Sequence, residues 1–241
     1  MKNWTHKDFV IHEFEVLEST NSTAYNMALA REIADREIIV AHSQNAGRGR
    51  LDRNWISPKG NLYFSMALRP KVSLEKVAEL SFVSVVALRM AVQNITPKSC
   101  KNKWPNDLLL DEKKLAGILL ESKFVGKDCE FVVIGIGVNM VSNPENTMFP
   151  ATNLGGIISS ADFLKSFLDE FEKIYAIWSN FGFEKIRKLW LEAAFRLGEK
   201  ISLKVDEEVV EGIFKDMDES GALILGCEGV LRRITVGDVG V

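Results

Sequence analysis

The chain has 241 residues, 46% of them hydrophobic and 26% charged, with a formal net charge of −3, which gives enough apolar material for a substantial core and too much for a disordered chain. The acidic balance argues against the broad basic face that non-specific nucleic-acid binding needs, and nothing approaches the run of about 18 apolar residues that reads as a membrane span. Cys100, Cys129 and Cys227 are odd in number and form no CxxC pair, so they read as reduced thiols of a cytoplasmic protein, and His6, His12 and His42 are too scattered for a zinc site.

In chain order, Phe9 to Leu17 (FVIHEFEVL) is a β-rich run, and the following STNSTAYNMALA opens with the residues that cap a helix. IIVAHSQ predicts a second strand, and NLYFSMALRP a third that ends at Pro70. Ser73 is placed to cap a long helix carrying Leu74, Val77, Ala78, Val85, Leu88 and Val92, which must stop before Pro97. KWPNDLLLDEKKLAGILLESKF reads as two strands around the polar turn Asp111 to Lys114. Phe131 to Met140 (FVVIGIGVNM) is a further strand, with Gly135 and Gly137 where backbone or ligand can approach closely. Apolar residues from Phe163 to Trp178 recur at helical spacing after Ser159 and Ser160, and Ile186, Leu189, Trp190 and Ala193 mark another helix, closed by Gly198. Beyond Gly198 the period becomes two. KISLKV, VVEGIF, GALIL and GVLRRITV are short strands separated by Asp206-Glu207, by Asp218 to Gly221 and by Glu228-Gly229, the pattern of a small barrel that needs a larger domain to pack on. Because strands and helices do not alternate strictly, the class is α+β around a mixed sheet.

The segment Gln44 to Trp55 (QNAGRGRLDRNW) holds Arg48, Arg50 and Arg53, with Gly47 and Gly49 between and before them. Glycines let a backbone turn with positive φ and present N–H groups, and guanidinium forks grip oxyanions by two bonds at once. A phosphate or carboxylate is the natural guest. On spacing alone a solvated Arg-rich turn fits equally well, since this is neither a Walker loop nor GxGxxG. Trp55 follows at a loop position where an indole can stack on a purine or enter the core. Lys103 to Asp107 (KWPND), followed by KKLAG at Lys113 to Gly117, joins cations, a stiffened turn and an Asn-Asp pair able to meet an ATP–magnesium complex. Each piece also has a bland reading: Pro105 shaping an edge strand, Asp107 capping a turn, Lys113 or Lys114 as hairpin charge.

Taken together, ESTN (Glu18 to Asn21), QNAGRGRLDRNW, NLYFSM, KWPND, KKLAGILLE and GIGVNM resemble the biotin–protein ligases, in that family's order and spacing, from about Phe9 to the C-terminus. The resemblance implies the fold common to biotin and lipoate ligases and class II aminoacyl-tRNA synthetases. That fold is a mixed β-sheet with helices on one side plus a small C-terminal SH3-like β-barrel, divided here as 1–197 and 198–241. It implies a cytoplasmic enzyme that joins biotin to ATP, giving biotinyl-5′-AMP and pyrophosphate, and then biotinylates one lysine of a biotin carboxyl carrier protein. By the same resemblance Ser19, Thr20, Asn21 and Gln44 bind the ureido head, with Gly47, Arg48, Gly49, Arg50, Lys114 and Gly117 completing the biotin site. Arg48, Arg50, Arg53, Trp55, Asn106, Asp107, Lys114 and Asn139 face ATP or the adenylate. Arg50, Lys114 and Asp107 carry the catalysis, Asp107 being a candidate base, and Mg²⁺ arrives with ATP near Asp107.

Two positions depart from the family: Asp52 stands where glycine is usual, and Val141 replaces a second asparagine after Asn139. Some members carry an N-terminal helix-turn-helix domain and repress transcription. Only eight residues precede the first expected strand, so the short form without operator binding is expected. Analogy extends to a homodimer through a sheet edge. The competing readings are a lipoate or octanoate ligase of the same superfamily and, from another class, a nucleic-acid-binding module.

Overall fold

The computed structural model of the chain describes residues 2–145, 147, 149–205 and 208–240; the turn expected at Asp206-Glu207 lies outside them. The strands of the larger sheet are β1 (Lys2–His6), β2 (Phe9–Leu17), β3 (Glu37–Gln44), β4 (Leu62–Leu68), β5 (Cys100–Lys103), β6 (Asp107–Leu110), β7 (Lys113–Val125) and β8 (Asp128–Val138). Their spatial order is β1-β2-β3-β4-β8-β7-β6-β5. The helices are α1 (Thr20–Leu29), α2 (Leu74–Gln93), α3 (Ser160–Phe181) and α4 (Phe183–Leu191). Pairing is antiparallel except between β2 and β3, which run parallel. A parallel pair cannot be joined by a tight turn, and α1 supplies the crossover.

Alternation along the central strands sorts the two faces. Ile38 and Val40 of β3, Phe64 and Met66 of β4, and Val132, Ile134, Ile136 and Val138 of β8 share one core with α2, α3 and α4. Ile39, Ala67, Phe131 and Val133, one residue out of phase, pack instead with Ala24 and Ala28 of α1. The expectation of helices on one side holds for α2, α3 and α4, while α1 lies on the other face. The apolar layer under α1 is small, and the remainder of that face, carrying Ser65, Gly135 and Gly137, is left for the pocket described below.

Three local expectations change. β1 pairs antiparallel with β2, so the first strand begins at Lys2; KNWTH is too polar to announce itself. Cys100–Lys103 forms a further short strand against β6, which makes KWPND a turn between strands. α4 ends at Leu191 with Glu192 as its cap, so Gly198 does not close it; Gly198 sits at φ 84 in the bend before the next strand. Ser73 occupies the cap of α2 without a side-chain capping bond, whereas Ser159 accepts from the Asp162 N–H.

The second sheet is antiparallel and five-stranded, in the order β12-β11-β10-β9-β13: β9 (Lys200–Val205), β10 (Glu208–Met217), β11 (Leu223–Cys227), β12 (Val230–Ile234) and β13 (Asp238–Val239). This is the expected small SH3-like unit. Its inner residues Ile201, Leu203, Phe214 and Leu225 belong to the same core as α2 and α4. The Trp104 indole N–H donates to the Gly221 carbonyl at 2.9 Å, fastening this unit to the β5–β6 turn. Among the described residues no helix is long and apolar enough to cross a membrane.

Candidate active site

A pocket of about 270 Å³ opens on the α1 face of the large sheet. One end is polar. Its wall begins at the N-terminus of α1, where Ser19, Thr20 and Asn21 are each less than 5% exposed. The Gln44 side-chain oxygen accepts from the Thr20 backbone N–H at 2.8 Å and its hydroxyl at 3.1 Å, while the Gln44 amide N–H donates to the Ser57 hydroxyl at 2.8 Å. Behind them the fully buried Ser65 hydroxyl lies 2.9 Å from Thr20 Oγ1 and 3.0 Å from Asn21 Oδ1. A Cβ at Gly135 would collide with Asn21 Oδ1, and a Cβ at Gly137 would lie 2.9 Å from Trp55 Cζ2. What approaches these two glycines is therefore the protein's own asparagine and indole, set against bare strand backbone.

The arginine segment leaves β3 and is stitched to the β2–α1 corner by Asn45 N–H to Leu17 O at 3.0 Å and Ala46 N–H to Glu18 O at 2.9 Å. It then folds back as a hairpin, with Gly49 N–H to Arg53 O at 2.7 Å and Arg53 N–H to Arg50 O at 3.2 Å. The turn residues with positive φ are Leu51 (53°) and Asp52 (54°), and neither Gly47 nor Gly49 has positive φ. Asp52 thus takes the left-handed conformation that glycine would adopt, as aspartate can. Gly47 is needed because a Cβ there would strike the Trp55 carbonyl; it supports the hairpin and does not line the pocket, contrary to its expected place beside biotin.

Each arginine already has an acid. Arg48 Nη1 lies 2.9 Å from Glu121 Oε1 and 3.1 Å from Oε2, and Glu121 Oε2 also accepts from the Asn21 amide at 2.6 Å. Arg53 Nη2 is 2.7 Å from Asp238 Oδ2. Arg50 Nη1 donates to Asn106 Oδ1 at 3.1 Å and stands 3.6 Å from Asp238 Oδ1. Burial pulls the Arg50 guanidinium below its ordinary pKa, against support from Asp238 and Asp107. A cation held there is poorly solvated and ready to accept an anion.

Lys114 reaches the pocket through a bulge. Leu108 pairs with Ala116 but Leu109 with Lys114, so Leu115 is an extra residue in β7. Strict alternation would put residues 114 and 117 on opposite faces. The inserted residue brings them together, and a Cβ at Gly117 would lie 3.4 Å from Lys114 Cε and from Asp107 Oδ1. Lys114 Nζ sits 2.7 Å from Asp107 Oδ1 and 5.3 Å from the Trp55 ring, whereas Lys113 is exposed. Asp107 Oδ2 lies 3.3 Å from Lys103 Nζ, which also stands 4.6 Å over the Phe149 ring. Desolvation would raise the Asp107 carboxyl pKa, but the two ammonium charges overcome it and hold it below the ordinary value. The Asn139 amide donates to the Thr152 carbonyl at 3.0 Å and points toward that of Lys114 at 3.5 Å, tying the β7 bulge to the 150–154 segment.

Residues 13–139 match the model of the Biotin/lipoate A/B protein ligase family, and residues 197–240 match the Biotin protein ligase C terminal domain. The chain belongs to the biotin protein ligase family. The biotin–[acetyl-CoA-carboxylase] ligase of Paracoccus denitrificans is 38% identical over 219 residues, which is 86% of this chain and 90% of that protein. The bifunctional ligase/repressor BirA of Bacillus subtilis is 32% identical over 236 residues, 93% of this chain and 72% of its own. The biotin protein ligase of Aquifex aeolicus, solved in complex with biotin and ATP, superposes with a TM-score of 0.81 at 26% identity, covering 95% of this chain and 97% of that one. That of Leishmania major, in complex with biotinyl-5-AMP, gives 0.67 at 25% identity over 94% and 98%.

In this biotin protein ligase the pocket gathers Ser19, Thr20, Asn21, Gln44, Arg48, Gly49, Arg50, Arg53, Trp55, Asn106, Asp107, Lys114, Gly117 and Asn139. Sequence reasoning noted Lys103 only as a cation of the KWPND string, and did not single out Ser65, Glu121, Phe149 or Asp238. Ser65 pairs with Gly135, and Glu121 lies four residues beyond Gly117 on the same face of β7, so a face-by-face reading of β4 and β7 would have raised them; Asp238 has no local signal at all. Val141, the departure from the family, packs over Gly60 and is not among the pocket's lining residues. The lining carboxylates are Asp107 and Asp238, both already paired with cations, and among the described residues no group of three or more His, Cys, Asp or Glu could hold a metal.

Proposed function

We propose that this enzyme condenses biotin with ATP to biotinyl-5′-AMP in this pocket and then passes the biotinyl group to one lysine of a biotin carboxyl carrier protein, in the cytoplasm. The observation that carries the reading is the meeting, in one cavity, of a neutral amide-and-hydroxyl cluster with a cluster of cations. A ureido ring needs donors and acceptors together, which Ser19, Thr20, Asn21 and Gln44 offer. The dithiolane of lipoate offers those groups neither a donor nor an acceptor, so it would gain nothing from them. The named substrate of the Paracoccus relative and the biotin and ATP bound to the Aquifex structure point the same way.

The chemical difficulty is charge. A carboxylate oxygen must attack the α-phosphorus while the bond to the bridging oxygen breaks and pyrophosphate leaves. One pair of unit charges about 4 Å apart repels by roughly 4 kcal/mol at an effective dielectric of 20, and every ~1.36 kcal/mol of barrier is tenfold in rate. Arg48, Arg50 and Lys114 bracket the meeting point and lower that repulsion by fixed charge. Arg53 and Trp55 serve the nucleotide side, with Asn106 and Asn139. In the second step the acceptor amine attacks the acyl carbon, AMP departs and the amine loses a proton. Asp107, with its pKa held down by two ammonium groups, is a poor proton acceptor; its part is to hold Lys114 in place. Magnesium enters as part of the nucleotide substrate, keeping most of its ligands as phosphate and water.

The test is to mix the enzyme with magnesium-ATP and either biotin or lipoate and weigh the products. Biotinyl-adenylate is expected from the native chain and not from Lys114→Ala. A lipoyl product without a biotinyl one would reject the substrate assignment, and full synthesis by Lys114→Ala would remove that lysine from its role.

A further inference from the structure

The arginine hairpin is anchored at its base by backbone bonds, but its far arm is held by a single carboxylate from the other end of the chain. Among the described residues Arg53 has one acidic partner, Asp238, at 2.7 Å. Arg53 in turn ties down the turn itself, since its Nε donates to the Arg50 carbonyl at 3.1 Å. Arg50 stands 3.6 Å from the same carboxylate, beyond hydrogen-bonding distance, with its own bond to Asn106. The two contacts differ in kind. Arg53–Asp238 is a direct pair, while Arg50 is only loosely shared and can turn to an incoming anion without breaking the anchor.

Asp238 is itself placed rigidly. It pairs with Lys204 of β9, and its neighbour Val239, 4% exposed, pairs with Leu203. Gly237 and Gly240 flank this bridge, and a Cβ on either would crowd Lys204 O at 3.0 Å or Ser202 Oγ at 2.7 Å. The small sheet is joined to the pocket floor by the Trp104–Gly221 hydrogen bond, so the carboxylate and the β5–β6 turn are parts of one body. An exposed ion pair holds little by itself, but an arginine whose other bonds fix its geometry loses less freedom in making one.

We propose that Asp238 is a positioning residue: acting through Arg53, it pins the arginine hairpin over the pocket and so slows escape of the reactive acyl-adenylate. This rests on the reading of the pocket as the adenylate site. Asp238 lines the pocket and stands 3.6 Å from Arg50, so retention is read separately from synthesis. Asp238→Asn is compared with the native chain by adenylate released per adenylate formed from biotin and magnesium-ATP in a single turnover, so that any change in synthesis is divided out. It should release that adenylate at least fivefold faster, read by gel filtration of the enzyme–adenylate complex and by labelling of bystander lysines. Asp238→Glu should restore retention. The double variant Arg53→Ala with Asp238→Asn should be no leakier than the worse single variant, because both remove one link. Unchanged retention in Asp238→Asn, or multiplied effects in the double variant, would overturn the proposal. Trypsin digestion of the ligand-free enzyme tests the pin without any adenylate. Faster cutting within 48–53 in Asp238→Asn supports it, and an unchanged rate refutes it. Should the native enzyme make no biotinyl-adenylate, the site reading fails, and digestion alone still decides whether the pin exists.

Discussion

Replacing Asp107 with asparagine keeps the side chain's shape and removes a charge that two ammonium groups share. The side chains of Lys103 and Asp107 are 4% and 7% exposed, and that of Lys114 is 27% exposed. Removing one partner of a buried ion pair costs about 3–5 kcal/mol, because the other charge stays behind without compensation. Here the lower end is expected: Lys114 can turn toward water, and the Phe149 face 4.6 Å from Lys103 Nζ retains some attraction. A loss of about 3 kcal/mol corresponds to a fall in Tm of roughly 6–12 °C for a chain of this size. The pH dependence carries the sharper test. The folded carboxyl pKa lies below its ordinary 3.8, so the unfolded chain binds the proton more readily. The stabilisation from Asp107 is therefore complete above about pH 4–5 and disappears as pH falls through the folded value. Thermal unfolding of both proteins from pH 8 downward should show a constant gap at neutral pH that closes in acid. A gap under about 2 °C at neutral pH, or one that does not narrow as the solution is made acidic, would refute the charge argument.

Two further outcomes follow from the site's construction. Gly137→Ala places a methyl against the Trp55 ring, 2.9 Å from Cζ2; the displaced indole should shift its fluorescence, and KM for ATP should rise about tenfold, roughly 1.4 kcal/mol of binding, with KM for biotin unchanged. Equal effects on both substrates would dissociate Trp55 from the nucleotide. Leu51 is 63% exposed at φ 53, a conformation that costs a leucine about 1–2 kcal/mol. Leu51→Asn should raise Tm by roughly 2–4 °C, and a lower Tm would mean the turn is held for another reason.

The one-dimensional pattern went far because much of this fold is local. Short apolar, β-rich runs gave β2, β3, β4 and β8, period-3.6 runs gave α2 and α3, and period-two runs with polar punctuation gave the hairpins of the small sheet. The loop composition marked a cation-rich segment, and residues of the strings around Lys103–Asp107 and Lys113–Gly117 line the same cavity as its arginines. KNWTH was missed because an edge strand needs no apolar alternation to be held by β2, and Cys100–Lys103 because it is too short to show a period.

The amino-acid order by itself determined which chemical groups are present, and in what local conformation the chain would offer them: guanidinium groups on a hairpin, ammonium groups beside a stiff turn, hydroxyls and amides at a helix start. Only the tertiary structure decided which of them meet. A single extra residue at Leu115 turns Lys114, and not Lys113, toward Gly117 and Asp107, since an inserted residue reverses which side of a strand faces inward. Arg53 and Asp238 are 185 positions apart, and their contact exists because a second sheet packs against the β5–β6 turn. Side-chain charge is written in the chain, but its counter-charge is chosen by packing, which joins residues without regard to their separation.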